Sequence, residues 1–157
     1  MVERKDATLL VVGEFYEDKQ PYVNEIESLG LGSRVRVVDR YVPNEEVEKY
    51  FVASDVVVLP YLSATQSGIV QIAFGFDKPV VVTSVGGLPD VVEDGVTGYV
   101  VPPGDPDALS EAMLEFFREG VAQRLREGVA KGKQRFSWRH CRETLCELAA
   151  SAHRQHL

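Results

Sequence analysis

The residues best suited to binding a ligand lie in a polar loop between two apolar segments. The apolar run 55–59 is followed by a loop over 60–68 that carries Ser, Thr, Gln and Gly, then by a short apolar helix and a second apolar run at 79–82. In an open α/β sheet, a loop that leaves the carboxyl end of a strand and enters a helix presents free backbone N–H groups and the positive end of the helix dipole. The pattern therefore predicts half of a nucleotide-diphosphate site.

The apolar segments that flank this loop belong to a series of predicted strands. Nearly continuous apolar runs at 7–12, 55–59 and 79–82 are typical of strands covered on both faces. Residues 34–38 alternate and predict an edge strand, and residues 98–101 predict a short one. Strands separated by helices predict an α/β fold with a doubly wound, Rossmann-like parallel sheet.

Helix signals fill the segments between the strands. Pro21 suits a first turn, Asn44 suits a cap, Asp105-Pro106 opens a further helix, and Ser137 caps a C-terminal helix over 137–157. Helical spacing predicts inward-facing side chains in four groups: Tyr22, Ile26 and Leu29; Val47, Tyr50 and Phe51; Ile69, Val70, Ile72, Ala73 and Phe76; and Leu109, Met113 and Phe116.

Length and composition predict a single domain over residues 1–157. The chain has 157 residues, of which 45% are hydrophobic and 26% charged, and a formal net charge of −7. No apolar run approaches the ~20 residues of a membrane-spanning helix, and the polar start lacks a signal region, so a soluble cytoplasmic protein is expected. The negative charge argues against nucleic-acid binding, which needs a basic surface.

The last third of the chain is nevertheless locally basic. Its cations are Arg118, Arg124, Arg126, Lys131, Lys133, Arg135, Arg139, Arg142 and Arg154. A solvated helical face is the favoured interpretation, and a patch for an anionic membrane or acceptor is the alternative.

Three kinds of conspicuous residue receive structural interpretations. Cys141 and Cys146 are five residues apart on a predicted helix and point away from each other, which excludes a local disulfide or a metal pair. The three histidines lack metal-ligand spacing with acidic or cysteine partners, so no metal is expected. Gly86-Gly87 is expected to serve a tight turn and close packing, with proximity to a bound phosphate as the secondary alternative.

Several short motifs occur in a characteristic order along the chain. They are Pro60-Tyr61, the Ser67-Gly68 loop, 77–81, 83–92, 94–98 and 101–105, extended by 11–13, 34–36, 41–46 and 136–138. Together, from about residue 8 to about residue 150, they resemble the C-terminal domain of GT-B glycosyltransferases of the retaining family 4, the glycosyl transferases group 1.

The resemblance implies metal-independent transfer of a sugar from a nucleotide-sugar to an acceptor, with retention and without a further cofactor. A separate N-terminal Rossmann-like domain, absent from this chain, would hold the acceptor. In that picture the backbone N–H groups of Ser67, Gly68 and Ile69 bind the donor diphosphate, while Tyr41 and Val42 flank the nucleotide base. No residue of this chain is assigned a catalytic role.

Two carboxylates of the family pattern are missing. In the family the loop presents a glutamate, a Gly-x-Gly turn and a second glutamate that bonds the ribose hydroxyls. Here the first position falls at Thr65 or Gln66 and the second at Gln71 or Ile72, and Gly68 is the one glycine left. Gln66 and Gln71 are neutral substitutes that contact sugar or ribose hydroxyls, or else Gln66 and Ser67 cap the helix and Gln71 lies on its polar face; the first interpretation is favoured.

The first strand of the family domain and the basic pair that follows it are also missing. Arg4 and Lys5 precede the strand at 7–12, so they cannot take the place of that pair. Because those cations stabilise the leaving diphosphate, the isolated chain is expected to transfer no sugar. The alternative function is a non-catalytic GT-B-like module that binds nucleotide or another protein.

The missing strand also bears on how the sheet is completed. In the family it lies between the counterparts of 7–12 and 55–59. These two strands are therefore expected either to pair directly or to leave an edge that a second molecule covers, which would promote self-association.

Overall fold

A computed structural model describes residues 7–133 together with 142, 145 and 146. The elements over 7–133 are β1 Leu9–Gly13, α1 Gln20–Ser28, β2 Val35–Asp39, α2 Asn44–Ala53, β3 Val57–Leu59, α3 Gly68–Gly75, β4 Val80–Thr83, α4 Leu88–Val91, β5 Gly98–Val101, α5 Pro106–Phe116 and α6 Val121–Gly132. The helix expected over 137–157 lies outside the described residues except at 142, 145 and 146, which are helical. The expected α/β fold with parallel strands is confirmed.

The chain divides into two compact units, residues 1–48 and 49–157. The five strands accordingly form two sheets, β1-β2 in the first unit and β3-β4-β5 in the second. Direct pairing of the strands at 7–12 and 55–59, one of the two alternatives expected for the missing strand, is not seen among the described residues, where the sheets are β1-β2 and β3-β4-β5. The other alternative, coverage of the edge by a second molecule, stays a prediction.

The first unit contains a parallel strand pair, one helix between the strands and the first residues of α2. Leu9 of β1 pairs with Val35 of β2, and the register continues to Gly13 beside Asp39. Helix α1 starts with a proline in its first turn, as predicted from Pro21. A cavity of about 350 Å³ separates the helix from the strands, and its lining includes Tyr22, Ile26, Leu29, Leu9, Val11 and Val37.

This cavity corrects the burial expected for α1. Tyr22, Ile26 and Leu29 line it, so they face the strands as the spacing predicts. None of the three is buried, however, and Tyr22 and Leu29 are 51% and 62% exposed. Helical periodicity identified the correct face but not how closely that face is packed.

The second unit has a three-stranded parallel sheet with a core on both faces. Val80 and Val82 of β4 pack with α3, α4 and α6 on one face, and Val81 packs with α5 on the other. Alternate residues of a strand point to opposite faces, so a strand whose every residue is apolar needs helices on both sides. This arrangement explains the continuous apolar run at 79–82.

Helix α3 differs in part from its predicted packing. Val70, Ala73 and Phe74 are its buried residues. Ile69 and Ile72 were expected in the core, but each is 38% exposed. Because the sheet contacts a single stripe of this short helix, apolar residues on the adjacent stripe stay at the surface.

Helix α6 and Lys133, the residue that follows it, contact the segments that precede all three strands of this sheet. The contacts are an Arg126–Asp55 ion pair at 3.0 Å, a Lys133–Asp77 ion pair at 2.6 Å, and Gly128 against the carbonyl of Val96. A first side-chain carbon at Gly128 would lie only 2.0 Å from that carbonyl oxygen, so the close approach requires glycine. The amino ends of the strands are therefore occupied by protein.

Candidate functional site

The carboxyl ends of β3, β4 and β5 lie along one edge of the second unit's sheet, since the strands are parallel. The loops at 60–67, 84–87 and 102–105 leave this edge and lead into α3, α4 and α5. Loops at the carboxyl edge of an open α/β sheet are the usual place for ligands. The predicted phosphate loop is the first of the three.

The phosphate loop enters α3 with an open backbone. Ser67 precedes the helix in an extended conformation, and its side chain makes no capping hydrogen bond. Gly68 begins α3, and a side-chain carbon placed on it would meet no atom of the described residues within 4 Å. The first N–H groups of a helix lack partners within the helix, and Gly68 is exposed. Among the described residues, this helix start is therefore open.

The two glutamines flank the open backbone, and Gln66 also lies beside the turn at Gly87, where a side-chain carbon would come within 3.4 Å of its Cγ. Gln66 and Gln71 are both exposed, and among the described residues no hydrogen bond of either side chain is found. Their amides are free to donate and accept toward a polyhydroxylated ligand. Gln66, Ser67, Gly68, Ile69 and Gln71 are thus brought together on one loop and helix start.

Tyr41 and Val42 belong to the first unit, where they follow β2. The Tyr41 side chain is 65% exposed, and its carbonyl oxygen accepts a hydrogen bond from Arg40 Nη1 at 3.2 Å. Arg40 Nη2 also contacts Glu46 Oε2 at 2.5 Å. Arg40 therefore ties the backbone that follows β2 to helix α2, while the ring of Tyr41 stays accessible.

An ion pair at the end of β2 was not anticipated from the sequence. Asp39 accepts hydrogen bonds from Lys19 Nζ at 2.6 Å and from the backbone N–H of Phe15 at 3.3 Å. The Lys19 hydrogen bond, followed by the Phe15 N–H, lowers the pKa of Asp39 below its usual value near 3.8. The pair fixes the loop between β1 and α1. The position of Asp39 at the end of an apolar strand was the available signal.

The turn after β4 holds the phosphate loop in place. Gly86 has φ of +52°, and the N–H of Gly87 donates to the Thr65 carbonyl at 2.8 Å. The hydroxyl of Thr83 donates to the Tyr61 carbonyl at 2.6 Å. The tight turn and close packing expected of Gly86-Gly87 are confirmed, and their partner is the phosphate loop.

A shallow cavity of about 200 Å³ opens at the same edge of the sheet. It is lined by Pro60, Leu62, Thr83, Pro102, Gly104, Asp105, Pro106 and Leu109. The Asp105 carboxylate accepts a hydrogen bond from the N–H of Ala108 at 2.9 Å and so caps α5. The described residues contain no cluster of three or more His, Cys, Asp or Glu side chains able to hold a metal ion. In the same part of the chain, no helix is long and apolar enough to cross a membrane.

The parallel strands, the covering helices and the open edge define a Rossmann-like domain of the GT-B glycosyltransferase type. Residues 1–119 match the family model described as glycosyl transferases group 1, and the chain belongs to this family.

Similar curated proteins agree with this assignment, and similar solved structures share the fold. The chain is 36% identical over 126 residues to the D-inositol 3-phosphate glycosyltransferase of Corynebacterium diphtheriae, a match that covers 79% of this chain and 29% of that protein. Sucrose-phosphate synthase of Thermosynechococcus elongatus superposes with a TM-score of 0.76 at 24% identity, over 94% of this chain and 39% of that one. HepE of Anabaena, solved in complex with UDP, superposes with a TM-score of 0.77 at 24% identity. The match covers 94% of this chain and 42% of HepE.

The chain is shorter than these proteins. It spans under a third of the length of the first curated relatives that it matches. The similarity to the two solved structures supports the fold.

Proposed function

We propose that this chain is the donor-binding part of a retaining family 4 glycosyltransferase and corresponds to the C-terminal half of a GT-B enzyme. Membership of the glycosyl transferases group 1 family supports the reaction class. HepE, which has the same fold, has been solved with UDP and with UDP-glucose, which supports a nucleotide-sugar as the donor. The observation that carries the proposal is the uncovered backbone at Gly68, where helix α3 begins at the carboxyl edge of the sheet.

In this proposal the donor diphosphate contacts the backbone N–H groups of Ser67, Gly68 and Ile69. The exposed amides of Gln66 and Gln71 contact sugar or ribose hydroxyls, and Tyr41 with Val42 flanks the base. The N–H groups and the helix dipole supply the attraction for phosphate. Because neutral amides replace the carboxylates of the family pattern, we expect weak binding of the donor.

Sugar transfer needs groups beyond those of this chain. The acceptor would be held by an N-terminal Rossmann-like domain, and the leaving diphosphate would be neutralised by cations that follow the family's first strand. Orientation of the two reactants can supply on the order of 7–11 kcal/mol of the barrier. We therefore expect the 157-residue chain alone to be inactive. The donor is a substrate, and neither a cofactor nor a metal is invoked.

A second candidate is a non-catalytic module that binds nucleotide or another protein. It is favoured by the absence of a carboxylate at Thr65, Gln66, Gln71 and Ile72. The uncovered polar loop favours the donor-binding function instead. A single donor-binding domain over 1–157, a cytoplasmic location and self-association stay predictions.

The binding site is tested by calorimetric titration with UDP, GDP and ADP. At least one of the three should bind, and Gly68→Val should abolish binding, because its side chain would occupy the open space over the α3 backbone. Gly75→Val is the matched control. It lies at the other end of α3, where a side-chain carbon also meets nothing within 4 Å, and it should bind as the parent does. Equal affinity of the two variants would contradict the site.

The enzymatic role is tested by an assay of donor hydrolysis and sugar transfer. The chain should match a blank without enzyme, whereas a longer protein with the first strand and an N-terminal Rossmann-like domain should be active. Turnover by the chain alone would overturn the assignment as the donor-binding half. An inactive longer protein that still binds nucleotide would favour the non-catalytic module.

A further inference from the structure

The turn that follows β4 makes its closest approach to the phosphate loop at Gly86. A side-chain carbon built on Gly86 would lie 1.9 Å from the carbonyl oxygen of Ala64 and 2.8 Å from that of Thr65. Its φ of +52° is also disfavoured for any residue with a side chain. The loop can follow its observed path only because glycine occupies this position.

Two hydrogen bonds hold the loop against the same turn. The N–H of Gly87 donates to the Thr65 carbonyl at 2.8 Å, and Thr83 Oγ1 donates to the Tyr61 carbonyl at 2.6 Å. Thr83 is 3% exposed, and its bond to the Tyr61 carbonyl is partly buried. A partly buried carbonyl that loses its donor is costly to leave unpaired. The loop is thus attached near both ends of the segment 61–65.

The turn itself is firmly anchored. Thr83 ends the central strand β4, and the next backbone N–H, that of Ser84, donates to the Val101 carbonyl of β5 at 2.8 Å. The loop is far less supported, since Leu62, Thr65 and Gln66 are exposed. Within the part of the chain that the structure describes, its hydrogen bonds to other segments are those to Thr83 and Gly87. The anchored turn after β4 therefore determines the path of the loop before α3, which has few hydrogen bonds of its own.

We propose that Thr83, Gly86 and Gly87 are positioning residues, whose contacts with 61–65 aim the backbone N–H groups of Ser67, Gly68 and Ile69 at a nucleotide diphosphate. The inference rests on the proposed function, because it assigns the means by which that same site is shaped. None of the three residues needs to touch the ligand. They act by fixing the loop three to seven residues before the helix start at Gly68.

The hydroxyl of Thr83 is tested with a pair of variants and the nucleotide that binds the parent chain best. Thr83→Val keeps the shape of the side chain but removes the donor, and should weaken binding about tenfold. Thr83→Ser keeps the donor and should restore affinity to within about twofold of the parent. Parent-like affinity of Thr83→Val would overturn the proposal.

The glycine contact is tested with a second matched pair. Gly86→Ala should abolish binding. Gly95→Ala, at the opposite edge of the sheet, has a comparable φ of +72° but meets nothing within 4 Å, so it should bind as the parent does. If Gly86→Ala does not fold, the Thr83 pair decides. Retained affinity of a folded Gly86→Ala would count against the proposal.

Amide hydrogen exchange separates positioning from general destabilisation. In Thr83→Val the amides of 64–68 should exchange faster while those of β4 keep the protection of the parent. Uniformly faster exchange in both segments would indicate a purely structural role and would overturn the proposal. Failure of the parent chain to bind UDP, GDP or ADP would instead refute the proposed function. If the parent chain binds nucleotide and Thr83→Val binds it with equal affinity, the positioning role of Thr83 is refuted while the proposed function stands.

Discussion

The two units use similar strand sequences but bury them to very different extents. In the second unit Val80, Val81 and Val82 have no exposed surface, whereas no described residue of the first unit is buried. In β1, for example, Val11 is 36% exposed and Leu9 49%. The sequences of β1 and β4 are both nearly continuous apolar runs.

The difference follows from the number of helices that cover each sheet. The β3-β4-β5 sheet packs against α3, α4 and α6 on one face and against α5 on the other. Within the first unit, the cavity between α1 and the strands leaves even the helix-facing side chains loosely packed. Apolar sequence therefore marks a strand that requires two covering layers, and only the second unit supplies them within its own residues.

The largest expected effect comes from the same substitution at the centre of each sheet. Val81→Ala should lower the free energy of unfolding by about 2–3 kcal/mol, because it removes fully packed methyl groups and leaves a cavity. Val11→Ala should cost under about 1 kcal/mol, because its side chain is already partly solvated. Urea denaturation followed by circular dichroism measures both. Equal losses would show that the first unit is as tightly packed as the second.

A smaller effect concerns the ion pair that fixes the β1–α1 loop. The pKa of Asp39 is lowered in the folded state. Its contribution to the free energy of unfolding is therefore complete above the usual pKa near 3.8, and it is lost as the pH falls through the lowered pKa. Lys19→Met should raise the pKa of Asp39 toward that usual value. Carboxyl-carbon NMR titration reads this shift directly. An unchanged pKa in the variant would show that Lys19 does not hold this carboxylate in solution.

The smallest effect is expected from an ion pair of the second unit. Asp55 pairs with Arg126 at 3.0 Å, but its side chain is 68% exposed. Exposed pairs contribute little, so Asp55→Asn should change the free energy of unfolding by less than about 1 kcal/mol. A double-mutant cycle with Arg126→Met isolates the coupling. A coupling comparable with the loss in Val81→Ala would mean that charge, and not packing, distinguishes the units.

Local signals in the sequence located most elements of the fold. Asn44, expected to cap α2, is instead its first residue. The other signals hold: Asp105 caps α5, Pro21 lies in the first turn of α1, and the run at 79–82 contains β4. These predictions succeed because capping, proline geometry and strand burial depend on neighbouring residues. The exposure of Ile69 and Ile72 was missed because periodicity identifies a helix face without showing what covers it.

Only the part of the candidate site that is contiguous in sequence could be predicted. The polar loop before α3 could be read from its position between a strand and a helix. The hydrogen bond from Thr83 to the Tyr61 carbonyl joins residues 22 apart in sequence, and no local pattern predicts such a pair. Likewise, Gly86-Gly87 indicated a tight turn, but its packing partner emerged only from the structure.

The glycine contact of α6 has a consequence for the alignment of that helix. Gly132 stands four residues after Gly128, so a slide of one helical turn would bring a second glycine against the Val96 carbonyl. The steric fit alone therefore cannot distinguish the two alignments. The same slide would carry Lys133 into the place of Val129, which has no exposed surface, and would bury an ammonium group in an apolar core at a cost of several kcal/mol. The burial of Val129, with Lys133 four residues after it, therefore fixes the position of α6 along its axis, which the two glycines alone do not determine.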